Sequence, residues 1–96
     1  MKYVLWKARA RILTEPQSLK EKRSVVKSAL AKLRNKLPVS AAEVGSNDTY
    51  NIFEIGLSSV GSKSADLEQL LNKCRSLLER EYPLEFFEER VDIDHF

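Results

Sequence analysis

The sequence predicts an α+β domain in which two helices cover one face of a four-stranded antiparallel sheet. Four segments alternate apolar and polar residues with the period of two that half-buried strands show. Two other segments carry apolar stripes with helical period. The segments follow one another in the order βαββαβ, and a chain of 96 residues is expected to form a single domain, residues 1–96.

The first strand is predicted over residues 3–14. One face carries Val4, Trp6, Ala8, Ala10 and Ile12, and the other carries Lys7, Arg9 and Arg11. Pro16 ends the strand, because proline has no N–H to donate to a neighbouring strand.

The first helix is predicted to start after Ser18 and to end near Lys36. Ser18 and Glu21 have the spacing of a capping box, in which the glutamate reaches back to the N–H of the serine. The helix then places Leu19, Val26, Leu30, Leu33 and Leu37 within one narrow arc.

A hairpin is predicted next, with strands over residues 39–44 and 50–60 around the turn cluster Gly45-Ser46-Asn47-Asp48. The inner face of the longer strand is expected to hold Phe53, Ile55 and Leu57, and its outer face Tyr50, Ile52, Glu54, Gly56 and Ser58.

The second helix is predicted to begin with Ser64 as its cap and to end at Pro83. Its apolar stripe holds Leu67, Leu70, Leu71, Cys74, Leu77 and Leu78. The last strand is predicted over residues 87–94, with Phe87, Val91 and Ile93 facing inward and Glu88, Arg90, Asp92 and Asp94 facing outward.

This element order predicts the ferredoxin-like, split βαβ arrangement. Right-handed crossovers are expected to place the first and third strands side by side in the centre and parallel, with the fourth strand antiparallel to the first. The second face of the sheet would then be open to water or to a partner.

Charge is segregated along the chain. Residues 1–37 hold eleven Lys and Arg against two acids, whereas residues 38–96 hold five bases against twelve acids, so the net charge of +2 hides a strong asymmetry. Such asymmetry indicates an anionic partner, above all a nucleic acid. The alternative is that the two parts of the chain pair with each other.

The first helix holds the residues that we predict to bind nucleic acid: Lys20, Lys22, Arg23, Lys27 and Arg34. All of them except Lys22 lie within about 60° of arc, a row that suits contact with a phosphate backbone. A plain solvated face is the alternative, although such faces usually include acids, and Glu21 is the only acid of this helix.

The bases of the first strand have an internal explanation. We expect Lys7, Arg9 and Arg11 to pair across strands with Glu54 on the third strand and with Asp92 and Asp94 on the fourth. The third strand does not match the glycine-aromatic pattern of RNA-reading sheets, so sequence-specific recognition of single strands is not favoured.

Catalytic, metal-binding and cofactor motifs do not stand out. One cysteine, Cys74, and one histidine, His95, cannot form a zinc pattern, and glycine-rich phosphate loops and nucleophile elbows do not occur. We therefore expect no cofactor and no catalytic residue. No apolar run approaches the ~20 residues of a membrane span, and the single cysteine fits a reducing cytoplasm.

Two segments resemble a known family. SLKEKRSVVKS at residues 18–28 and VSAAEVG at residues 39–45 resemble the YlxP-like family, a bacterial family of small domains of unknown function. The resemblance covers nearly the whole chain and implies a ferredoxin-like fold. Genes of this family often lie beside genes for ribosome maturation and translation initiation factors, which implies a role around the ribosome or RNA.

The sequence thus favours two functions. One is a noncatalytic cytoplasmic accessory that touches RNA or the ribosome through its first helix. The other is a self-assembling or protein-interaction module, in which the open sheet face or the edge strands pair two copies as a homodimer or dock another protein. A small hydrolase is a third reading, which no motif supports.

Overall fold

A computed structural model describes residues 1–45, 49 and 51–96. Its elements are β1 (Lys2–Ile12), α1 (Leu19–Lys36), β2 (Ser40–Gly45), β3 (Ile52–Gly61), α2 (Ser64–Glu81) and β4 (Leu84–His95). The predicted elements are confirmed in type and order. The predicted turn residues Ser46, Asn47 and Asp48 and the outward position of Tyr50 lie outside the described residues.

The strands form one sheet in the order β2-β3-β1-β4, and each neighbouring pair is antiparallel. The ferredoxin-like α+β prediction is therefore confirmed, but the predicted parallel pairing of the first and third strands is wrong. The crossover through α1 returns the chain parallel to β1 at β2. β3 then runs opposite to β2 and lies between β2 and β1, so it is antiparallel to both.

The two helices begin differently. The Oγ of Ser18 accepts a hydrogen bond from the N–H of Glu21 at 3.2 Å, as predicted. A capping box would have Glu21 accept a hydrogen bond from the N–H of Ser18. Instead, Glu21 Oε2 accepts from the N–H of the preceding residue, Gln17, at 2.5 Å. In α2 the prediction was wrong by one position, because Lys63 lies at the cap without a side-chain bond and Ser64 is the first helical residue.

The core lies between the sheet and the helix layer. The inward residues of the two central strands are almost fully buried: Val4, Trp6, Ala8, Ala10, Ile12, Phe53, Ile55 and Leu57. The helices contribute Val26, Ala29, Leu30, Leu33, Leu67, Leu71, Cys74, Leu77 and Leu78. Burial of a large aliphatic or aromatic side chain stabilises the fold by about 1.5–3 kcal/mol, so this layer supplies the main stabilising contribution. Both helices pack on the same face of the sheet, and the other face is open.

β4 departs from its predicted alternation at Phe87. The register against β1 shifts between Arg9 and Ala10, so that Glu88 faces Arg9 while Phe86 faces Ala10. Phe86 packs against the core, and Phe87 is 38% exposed on the open face. The predicted inward position of Phe87 is therefore wrong, because a bulge adds one residue to a strand and turns its side chain to the other face.

Candidate nucleic-acid interface

An exposed row of bases runs along one side of α1. Lys20, Arg23 and Lys27 are all exposed, and the helical rise separates them by about 4.5 Å and about 6 Å along the axis. Among the residues that the structure describes, these three side chains take part in no ion pair and no hydrogen bond. We call Lys20, Arg23 and Lys27 the α1 basic row.

Arg34 continues the α1 basic row toward the edge of the sheet. Its Nη1 donates to the carbonyl oxygen of Ala41 on β2 at 2.9 Å. This bond also occupies a carbonyl of an edge strand, which reduces its tendency to pair with other chains. The opposite side of α1 faces α2, where Lys32 Nζ lies 3.4 Å from Glu81 Oε2. The α1 basic row therefore lies on the β2 side of the helix, away from α2.

Lys22 lies apart from the other four predicted residues. It is 4% exposed, and its Nζ donates to the carbonyl oxygen of Thr49 at 2.9 Å. Its place follows from the sequence spacing, because it precedes the buried Val26 by four residues and the buried Ala29 by seven. A buried ammonium that is bonded to the chain is not presented to a phosphate, so the candidate interface is reduced to the other four residues.

The bases of β1 have partners on the open face of the sheet. Lys7 Nζ lies 3.6 Å from Glu54 Oε1, and Arg9 Nη1 lies 3.2 Å from Glu88 Oε2. The predicted pairing with Glu54 is confirmed. On β4 the partner is Glu88, which the regular register of β1 and β4 places directly opposite Arg9.

Other outward groups complete this pattern. Arg11 lies over the ring of Phe87 at 4.7 Å from its centroid, in a cation–π contact. Asp92, which we expected to pair with the bases of β1, instead pairs with Arg90 at 3.3 Å. The predicted pairing of β1 with Asp92 is therefore wrong, and the described ion pairs include none between β1 and Asp94.

A polar cluster that sequence reasoning missed lies on the helix side of β4. The indole N–H of Trp6 donates to Glu89 Oε1 at 2.9 Å, and Arg75 of α2 donates to the same oxygen from Nη2 at 2.6 Å and from Nε at 2.9 Å. Glu89 faces inward because it alternates in unbroken register with Val91 and Ile93, opposite the inward Ala8. The cluster ties α2 to β1 and β4, and its contacts are internal to the domain.

Cys74 is enclosed by the core. Burial raises the pKa of its thiol to about 11, because a thiolate is poorly solvated there. The thiol therefore stays protonated at neutral pH, and Cys74 is a core residue of α2.

Within residues 1–45, 49 and 51–96, no cluster of three or more His, Cys, Asp and Glu could hold a metal ion. In the same part of the chain, no helix combines the length and apolar character of a membrane span.

The sheet order and the one-sided helix layer define a small ferredoxin-like α+β domain. Residues 8–91 match the family described as Protein of unknown function (DUF503), and the chain belongs to that family. It is 34% identical over 68 residues to the Uncharacterized protein YlxP of Bacillus subtilis (strain 168), a match that covers 71% of this chain and 74% of that protein. The resemblance to the YlxP-like family is thus confirmed.

Two solved structures share the fold. SnoaB, a cofactor-independent oxygenase from Streptomyces nogalater, superposes with a TM-score of 0.52 at 10% identity, over 100% of this chain and 94% of that chain. The de novo designed protein Foldit4 superposes with a TM-score of 0.50 at 14% identity, over 98% of each chain. Identities this low show a common fold, and a fold alone does not transfer a function.

Proposed function

We propose that this protein is a cytoplasmic, noncatalytic accessory that binds RNA or the ribosome through the α1 basic row and Arg34. The observation that carries the proposal is the exposure of Lys20, Arg23 and Lys27 without an acidic partner in the described part of the chain. Bases in this state bind phosphates well, because no internal ion pair has to break and counterions of the RNA are released.

The composition of the interface favours contact with the sugar–phosphate backbone. The α1 basic row consists of Lys and Arg side chains on a helix whose sequence contains no aromatic residue that could stack on a base. Contacts to phosphate position a protein but do not read sequence. Binding is therefore expected to depend on salt and on RNA shape, as suits an accessory on structured ribosomal RNA. The gene neighbourhood implied by the YlxP-like family supports the same partner.

The test compares two triple variants of equal charge change. One replaces the α1 basic row (Lys20→Ala, Arg23→Ala and Lys27→Ala), and the control replaces three exposed bases in and before α2 (Lys63→Ala, Lys73→Ala and Arg80→Ala). Binding to ribosomal subunits and to a short single-stranded RNA is measured at about 50 mM and about 200 mM salt. Loss of three phosphate contacts should reduce the slope of log K against log salt by about 2, since each contact on a single strand contributes about 0.7.

Two results would contradict the proposal. The first is failure of the wild-type chain to bind either RNA at the lower salt concentration. The second is an equal loss of affinity in both triple variants, because general net charge rather than the α1 basic row would then govern binding. Circular dichroism of each variant establishes that the fold is retained.

A further inference from the structure

The open face of the sheet carries a shallow groove. Its volume is about 580 Å³, its floor includes Ala42, Gly56 and Ser58, and Leu5 and Val44 border it. Gly56 lets Val44 pack closely over β3, because a Cβ at this position would lie 2.9 Å from Val44 Cγ1. Leu5 and Val44 are 50% and 54% exposed. The groove therefore joins exposed apolar side chains to small residues that leave room for an inserted side chain.

The charges on this face nearly balance. The strand registers place four bases outward (Lys7, Arg9, Arg11 and Arg90) and five acids outward (Glu54, Glu85, Glu88, Asp92 and Asp94). An interface with two-fold symmetry brings a surface against a copy of itself, so a strong charge of one sign would repel the partner. The open face satisfies this condition. The α1 basic row does not satisfy it, and a polyanion would gain little on the open face, which holds one more acid than bases.

The size of the face also fits a second copy. Four strands about 4.8 Å apart, with about ten residues at about 3.3 Å each, give a face of about 600 Å². Two copies would bury about 1,200 Å² in total, the lower end of the range for specific protein–protein interfaces. Sheets packed face to face lie about 10 Å apart, which is the depth of one layer of interdigitating side chains.

We propose that two copies of this chain form a reversible homodimer through their open sheet faces. Leu5 of each copy enters the groove of the other copy beside Gly56, and the surrounding ion pairs form a polar rim. The helices of both copies then lie on the two outer sides of the dimer, so both α1 basic rows stay exposed. The dimer does not depend on RNA binding, and its test uses the protein without RNA.

The experiment measures molar mass against concentration by sedimentation equilibrium, from about 1 μM to about 200 μM, the range in which a small interface dissociates. The mass of the wild-type chain is expected to rise from one chain to two. Leu5→Asp places a carboxylate in the partially apolar groove of each partner, where it loses solvation, and should raise the dissociation constant by at least about a hundredfold. Val44→Asp should act in the same direction.

Leu13→Asp is the matched control, since Leu13 is 58% exposed and lies after β1, away from the groove. It should keep the wild-type dissociation constant. A wild-type chain that stays monomeric over the whole range would overturn the proposal, as would a Leu13→Asp effect equal to that of Leu5→Asp. If circular dichroism shows that Leu5→Asp is unfolded, Val44→Asp on the edge strand decides the question, and wild-type dimerisation in that variant also overturns it.

Discussion

β1 and α1 are both basic, but in the tertiary structure the bases of β1 lie beside acids and those of the α1 basic row do not. On β1, Lys7 and Arg9 each lie within 4 Å of an acid on a neighbouring strand. On α1, Lys20 and Arg23 point to solvent and have no such neighbour in the described part of the chain. Counted along the sequence, the bases make β1 and α1 look equally suited to bind an anion. In the fold, the acids beside β1 pair with its bases, and this distinguishes the two segments.

The reason lies in the neighbours that the topology supplies. β1 is a central strand between β3 and β4, and both present acids in register with its outward bases. The side of α1 that carries the α1 basic row faces the β2 edge, and β2 contains one acid, Glu43. The other side of α1 faces α2, where Lys32 forms an ion pair with Glu81. Position in the fold therefore decides which positive charges are paired within the described part of the domain.

The largest expected effect is the difference in RNA affinity between a variant of the α1 basic row and a variant of β1. Replacing the α1 basic row with alanine should weaken RNA binding on the order of a hundredfold at low salt, while the β1 variant Lys7→Ala, Arg9→Ala and Arg11→Ala should change it only a few-fold. Fluorescence anisotropy with a labelled single-stranded RNA gives both values. A larger loss in the β1 variant would reverse the comparison and move the interface to the sheet.

A stability comparison within α1 comes next in size. Lys22→Ala removes the hydrogen bond to Thr49 and opens space at a buried position, so the free energy of unfolding should fall by about 1–3 kcal/mol. Lys20→Ala, two residues earlier and exposed, should stay within about 0.5 kcal/mol of wild type. Urea denaturation measures both. Equal values would mean that the Lys22 ammonium adds nothing to the fold.

Adjacent acids of β4 provide a third comparison. Glu89→Ala leaves the Trp6 indole N–H and the Arg75 guanidinium without their shared acceptor, and should cost about 1 kcal/mol, since the cluster is partly open to water. Glu88→Ala removes an exposed pair with Arg9 and should cost less than about 0.5 kcal/mol. Thermal unfolding of the two variants tests the difference. A greater loss for Glu88→Ala would contradict the inward assignment of Glu89.

The smallest expected effect concerns the exposed pair between Lys7 and Glu54. A double-mutant cycle with Lys7→Ala and Glu54→Ala should return a coupling energy of about 0.2–1 kcal/mol. The coupling should fall toward zero at about 1 M salt, where the screening length is about 3 Å. A coupling that is independent of salt would show that the two side chains interact by packing rather than by charge.

Local pattern predicted much of this fold. The alternation of β1 placed Val4 and Trp6 in the core, and the Ser18 cap marked the start of α1. β4 was predicted less well, because Phe86 and Phe87 are equally apolar and an alternation rule cannot tell which of them a bulge turns outward. Lys22 shows a related limit, because its helical spacing places it on the apolar stripe, while its burial and its bond to Thr49 depend on the neighbours that the fold supplies.

By itself, the sequence determined the type and order of the elements, the core faces of β1, β3 and both helices, and the family, since these depend on periodicity, caps and short motifs that neighbouring residues define. The tertiary structure alone decided the antiparallel pairing of β1 with β3, the bulge at Phe87, the cluster around Glu89 and the partner of each charge. These features arise between residues far apart in the chain, and their geometry depends on register and on which strand lies beside which.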